Sequence, residues 1–183
     1  MVHLATLWLP ILVSAVFVFI ASNLLWMALP FWHRKDYQRL PDEKGVLSAL
    51  AAAKSGQYIA PMMDWSKATP EEKAASQSGP LALLLVRNPN AFSFGKALTT
   101  YFIYTLVISA IVGYITGVVV GPGTLYPRVF RIAGTAAILA YSFRGVPDSV
   151  WYGKPWTVTF KEVIDGVIYG LLTAGTFGWL WPH

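Results

Sequence analysis

The chain has 183 residues, of which 55% are hydrophobic and 13% charged, with a formal net charge of +5. A soluble domain carries about 25% charged residues, so this composition excludes a large soluble enzyme and indicates a membrane protein. The absence of cysteine excludes disulfides, cysteine-ligated zinc, iron–sulfur clusters and thiol catalysis. The eight tryptophans suit a chain that crosses lipid interfaces.

The first apolar segment runs from Leu4 to Trp32, which is 29 residues without a charge. That length spans a ~30 Å hydrocarbon core with some tilt. A signal peptide is the competing interpretation, but residues 1–5 carry no lysine or arginine and the segment is too long. We therefore predict an uncleaved transmembrane helix within residues 1–32.

Residues 33–96 form a polar connector, for which we predict a small cytosolic cap of short amphipathic helices. One helix is predicted from about Pro41 to Lys54, and a second begins at Thr69-Pro70-Glu71-Glu72, where threonine caps and proline opens the first turn. The apolar run Leu81–Val86 is too short to span and fits a strand, a buried helical turn or an interfacial segment. Asn88-Pro89-Asn90 is typical of a turn.

Residues 97–183 contain three further predicted spans, at about 97–120, 128–144 and 163–182. The third of the four spans is short, because only 12 uncharged residues separate Arg131 from Arg144, or ~18 Å of helix. Counting from Arg128 and letting the arginines reach the headgroups gives ~25 Å. Residues 145–155 are predicted as a loop. The predicted fold is an all-α bundle of four transmembrane helices with a mostly helical cap, and a re-entrant third segment is the alternative.

The distribution of positive charge predicts the orientation of the bundle. With four spans, 12 of the 14 lysines and arginines lie in the connectors on one side, and only Arg128 and Arg131 lie on the other. The positive-inside rule then places residues 33–96 in the cytoplasm and both termini outside. A re-entrant third segment weakens the division to nine against five. We predict a multi-pass protein of a bacterial inner membrane, in contact with membrane lipids.

Small residues recur every fourth position on two predicted spans. One stripe consists of Gly166, Gly170, Ala174 and Gly178, and the other of Ser109, Gly113, Gly117 and Gly121. Such GxxxG-like stripes let helix backbones approach closely in lipid. Packing within this chain is the favoured interpretation, and a face for a partner protein is the alternative.

Asp165 is the one carboxylate inside the predicted spans, and intramembrane carboxylates are candidates for function. We predict that it pairs with Arg144, since both lie at the cytoplasmic ends of consecutive spans; Lys161 is the competing partner. The alternative is a residue at headgroup depth, just after a capping box formed by Thr159 and Glu162.

No motif in the sequence predicts catalysis, a cofactor or a metal site. All three histidines fall at interfaces, which disfavours a bis-histidine haem, and the i, i+3 pair His33 and Asp36 fits an interfacial cluster better than a metal site. The basic charges cluster at membrane exits, so nucleic acid is not expected.

These patterns favour a non-catalytic accessory or interaction subunit of a larger membrane assembly, or a homo-oligomer. The alternative is a small oligomeric transporter or channel, because four short helices enclose little space in one copy.

Overall fold

A computed structural model describes residues 1–88 and 92–183, and these residues are mostly helical. They divide into two compact units, residues 1–38 with 94–183, and residues 39–93. In chain order the elements are α1 (Trp8–Asn23), α2 (Pro30–His33), α3 (Glu43–Ala49), β1 (Gly56–Ala60), α4 (Pro70–Ser78), β2 (Ala82–Val86), α5 (Phe94–Val119), α6 (Tyr126–Ser142), α7 (Val146–Tyr152) and α8 (Trp156–Trp179).

The first long helix runs from Leu4 to Ala28, with a 3₁₀ turn before α1 and a π turn after it. It stops at Leu29, because a residue before proline is pushed out of the α region; its φ and ψ are −101° and 85°. Pro30 then opens α2, where its fixed φ suits the first helical position. The predicted single helix to Trp32 is therefore broken at Leu29.

Two helices are long and apolar enough to cross a membrane, Leu4–Ala28 with 25 residues and Phe94–Val119 with 26. At 1.5 Å per residue each is ~38 Å long. About a third of the most apolar stretch of each is buried within the protein, so most of their apolar side chains face outward. The 17 residues of α6 reach ~26 Å. The last helix, α8, begins at Trp156, seven residues before the predicted start of its span.

The stripe on α8 packs along the length of α6. A Cβ atom on Gly166 would lie 2.5 Å from the Ser142 Cα, and one on Gly170 would lie 2.9 Å from the Ile138 N. Farther along, Ala174 contacts Gly134, while a Cβ on Gly178 would lie 2.6 Å from the Tyr126 ring. Close approach of the two backbones therefore depends on these small residues.

The stripe on α5 packs against the N-terminal segment and α8. A Cβ on Gly113 would lie 3.2 Å from Phe177 and 3.3 Å from Ile11, and one on Gly117 would lie 2.7 Å from the Val2 carbonyl oxygen. Ser109 is fully buried. At Gly121 a Cβ would meet nothing within 4 Å, so the stripe ends at Gly117.

The unit of residues 39–93 contains a two-stranded antiparallel sheet, in which Gly56 pairs with Val86 and Ala60 with Ala82. The prediction of an all-α fold with a mostly helical cap is therefore wrong in this unit, and the segment Leu81–Val86 that sequence left open forms a strand. Burial alternates along this strand, with Ala82, Leu84 and Val86 half-buried and Leu83 and Leu85 exposed, which is the period of a pleated strand. The turn predicted at Asn88-Pro89-Asn90 falls partly outside the described residues.

The helical parts of this unit follow local capping rules. Thr69 and Glu72 form a reciprocal capping box with Pro70 at the first position, which confirms the predicted start of α4. The preceding helix, α3, is shorter than predicted and ends at Ala49; the Asp42 side chain caps it by accepting from the Gly45 N–H.

The connection predicted as a loop over residues 145–155 contains α7. Proline at its second position and Asp148 in its first turn favour this helix. It ends at Gly153, which adopts a left-handed φ of 70° and lets the Lys154 N–H bond to the Asp148 carbonyl oxygen at 3.3 Å.

Candidate functional site

The break at Leu29 places a histidine inside the protein. His33 ends α2 and is only 3% exposed, with its ring stacked on Trp26 at a centroid distance of 3.8 Å. A 3₁₀ turn follows, Arg34–Asp36, and turns the Asp36 side chain back toward His33. These residues face the first turns of α8.

Asp165, on α8, is 2% exposed and accepts two hydrogen bonds at its carboxylate. The Trp32 indole N–H donates to one oxygen at 2.7 Å, and His33 Nε2 lies 2.7 Å from the other. A buried carboxylate is costly unless it is paired and hydrogen-bonded, and here both oxygens are engaged. Asp165 is therefore not a solvated residue, as the alternative interpretation of the sequence had it, and its depth in a membrane stays a prediction.

Asp36 bonds to the opposite edge of His33, with its Oδ2 2.7 Å from Nδ1. Lys161 donates to the other Asp36 oxygen at 2.5 Å and to the Trp32 carbonyl oxygen at 2.6 Å. Burial alone would raise the pKa of Asp36, but the hydrogen bonds and positive charges of Lys161 and His33 outweigh it and hold the pKa below its usual value.

The four side chains His33, Asp36, Lys161 and Asp165 form what we call the charge cluster. With a proton on each ring nitrogen, His33 donates to a carboxylate on either side. His33 and Lys161 thus each contact a carboxylate, and Asp36 contacts both. It ties the residues after the first long helix to the start of α8.

The side chains of the cluster bond mainly to one another. Its carboxylates lie on opposite edges of one imidazole, and the described residues hold no group of three or more histidine, aspartate or glutamate side chains placed to bind a metal. Because both ring nitrogens are bonded to carboxylates, His33 has no free nitrogen with which to activate a nucleophile.

A cavity of about 430 Å³ lies beside the cluster, at the end of the bundle where α1 ends and α8 begins. Tyr101, Tyr104, Tyr141 and Tyr169 line it in a connected row, with neighbouring ring centroids 5.7 to 6.2 Å apart. Among the described residues, the buried hydroxyls of Tyr141 and Tyr169 have no hydrogen-bond partner. This volume lies in the range of small-molecule sites, ~300–1,000 Å³.

Asp165 and Arg144 both line this cavity, but the structure does not join them in an ion pair. Asp165 bonds to His33 and Trp32, whereas Arg144 is exposed and has no hydrogen bond or ion pair within the described part of the chain. The competing partner Lys161 bonds to Asp36 instead.

The predicted capping box at the start of the last span is wrong, because α8 begins at Trp156 and Thr159 already lies inside it. Thr159 is buried and its hydroxyl lies 2.6 Å from that of Ser149 on α7. Glu162 accepts from Lys154 at both carboxylate oxygens, each at 2.6 Å. These contacts attach α7 to α8.

Sequence reasoning noted the spacing of His33 and Asp36 but not their connection to Asp165. Pro30 could have indicated that His33 leaves the line of the first helix, because a proline two residues before the end of an apolar segment interrupts a helix there. No family model, curated protein or solved structure matches the chain. Two features characterise the chain. It has two helices long and apolar enough to cross a membrane, and a buried cluster of charged side chains that bond to one another.

Proposed function

We propose that the protein is a four-span integral membrane protein that acts as a non-catalytic subunit of a larger membrane assembly. The observation that carries this proposal is the distribution of polarity, with hydroxyls among the buried side chains and many large apolar side chains outside. Fully buried positions include Ser14, Thr105, Ser109, Thr116 and Thr173 beside apolar residues, and many large apolar side chains are exposed. Water would favour the opposite arrangement, and lipid favours this one.

Large apolar side chains are exposed on the outward face of each proposed span. Phe17 and Ile20 are exposed on α1, Ile103 and Val107 on α5, Leu139 on α6, and Leu171 on α8. Leu172, one position further, is half-buried. Most buried hydroxyls of the interior bond to a carbonyl oxygen of their own helix, as Thr116 does with Val112 at 2.7 Å, which is a usual arrangement inside membrane bundles.

The proposed orientation places residues 33–96 in the cytoplasm and both termini outside, in a bacterial inner membrane. The excess of lysine and arginine on one side supports it. The charge cluster and the cavity then lie at the cytoplasmic end of the bundle, where the charge cluster meets the headgroup region rather than the hydrocarbon centre.

A non-catalytic role is supported by the closed hydrogen bonding of the charge cluster. The small-residue stripes are occupied by contacts within the chain, so a partner would pack against the large outward side chains. A small oligomeric transporter is the second candidate, and the cavity bordered by Asp165 is the observation that favours it.

The mass of the gently solubilised protein tests this function. We expect the full chain, tagged at a terminus and extracted in two unrelated mild detergents, to elute with unrelated membrane subunits at one fixed stoichiometry in both. A homo-oligomer of constant copy number would support the transporter instead. A lone monomer in both detergents would contradict both candidates.

A further inference from the structure

The cavity at the end of the bundle has walls of two kinds. Its aromatic wall consists of the four tyrosine rings, with Met27 and Leu98 also in the lining, and its polar wall contains Glu162, Asp165 and Arg144. Four helical segments contribute to it, namely the end of the first long helix, the start of α5, the end of α6 and the first half of α8. It is partly open to the outside of the bundle.

The charges on the polar wall are unequally satisfied. Both oxygens of Glu162 bond to Lys154, and both oxygens of Asp165 bond to Trp32 and His33. Arg144 alone among the charged lining residues has no partner in the described chain. The unsatisfied charge at the cavity is therefore positive, which favours an anionic ligand over a cationic one.

We propose that this cavity binds an acidic amphiphile, with its oxyanion at Arg144 and its apolar chain against the tyrosine rings. The guanidinium offers donors in the fork geometry that carboxylates and phosphates accept. The tyrosine rings provide an apolar surface against which a lipid acyl chain can pack. The proposal rests on the proposed membrane position, because Arg144 then lies at the depth of cytoplasmic headgroups, where acidic lipids are found.

The oxyanion has two available sources, the phosphate of an acidic phospholipid and the carboxylate of a free fatty acid. Both present the same chemistry to Arg144, an anionic oxygen group on an apolar chain. A lipophilic cation would find no free carboxylate, because both carboxylates of the wall are engaged, and it would be repelled by Arg144.

Lipid binding to the purified full chain in neutral detergent tests the proposal. Native mass spectrometry would compare phosphatidylglycerol, zwitterionic phosphatidylcholine, oleate and tetraphenylphosphonium. We expect phosphatidylglycerol or oleate to bind at one copy, and the tighter of the two identifies the source. Replacing Arg144 with glutamine should weaken that binding about ten-fold or more, because a charge-assisted contact is lost.

Arg131→Gln is the matched control, since Arg131 is an exposed arginine on α6, the helix that ends two residues before Arg144, and does not line the cavity. It should leave the affinity unchanged. A second variant, Ala97→Trp, fills the cavity at an exposed lining position and should weaken binding without loss of thermal stability. Each variant is checked for helical content before titration.

Three results would overturn the proposal: equal binding of phosphatidylglycerol and phosphatidylcholine with no bound oleate, equal losses in the two arginine variants, or preferential binding of the cation. Failure of this proposal can be distinguished from failure of the proposed function, because the titration in detergent requires neither a given membrane orientation nor partner subunits. If the chain proved to have fewer than four spans and still bound the acidic amphiphile specifically, the binding site would stand. Only the four-span assignment would then be rejected.

Discussion

Replacing His33 with leucine is expected to lower the free energy of unfolding by about 3–5 kcal/mol, the usual cost of leaving buried charges without a partner. Leucine has a similar volume to histidine, so packing against Trp26 is largely kept, while Asp165 loses its only ion-pair partner among the described residues. Asp36 keeps Lys161. Chemical denaturation in detergent, followed by circular dichroism, measures the change.

His3→Leu is the control for this experiment, because His3 is exposed and should change stability by less than about 0.5 kcal/mol. A double variant, His33→Leu with Asp165→Leu, should recover part of the loss, since the stranded carboxylate is gone. Equal stability of His33→Leu and His3→Leu would show that the charge cluster does not hold the bundle together.

Replacing Gly170 with alanine is expected to destabilise the protein by about 1–3 kcal/mol, although alanine is the better helix former. The new Cβ would meet the backbone of Ile138, which cannot move without separating α6 from α8. Gly166→Ala meets the Ser142 backbone and should behave in the same way. At Gly113 the neighbours are side chains, which can shift, so its loss should be smaller.

Gly175→Ala is the matched control on the same helix. Its Cβ would lie 3.8 Å from the Tyr126 hydroxyl, an ordinary contact, so the variant should be neutral or more stable by up to about 1 kcal/mol. Thermal unfolding in detergent ranks the four variants. A Gly175→Ala loss as large as that of Gly170→Ala would mean that the stripe does not set the approach of the two helices.

Much of the helical part of the fold could be predicted from the sequence because its signals are local. Long uncharged segments, the capping residues at Thr69 and the small-residue stripes depend on neighbours within a few positions. The boundaries were less accurate. The strand Ala82–Val86 pairs with residues more than twenty positions away, and a short apolar run does not carry that information.

The site could be predicted only in part. Asp165 was singled out because a carboxylate in an apolar helix needs compensation, and that reasoning does not depend on the fold. Its partner was not identified, because Pro30 indicates a break at Leu29 but not that His33 then meets α8, which depends on tertiary packing. Proximity along the chain favoured Arg144, whereas the protein uses a residue 132 positions away.

The most direct test of the proposed membrane position is the reactivity of single cysteines, since the native chain contains none. Leu139 is 62% exposed on α6, the short span, and Gln77 is exposed on α4. In intact membrane vesicles, we expect a membrane-impermeant maleimide to label Gln77→Cys from the cytoplasmic side only, a cysteine appended after His183 from the other side only, and Leu139→Cys from neither until the membrane is dissolved. Labelling of Leu139→Cys at the rate of Gln77→Cys, or of both connector and C-terminus from one side, would contradict the account.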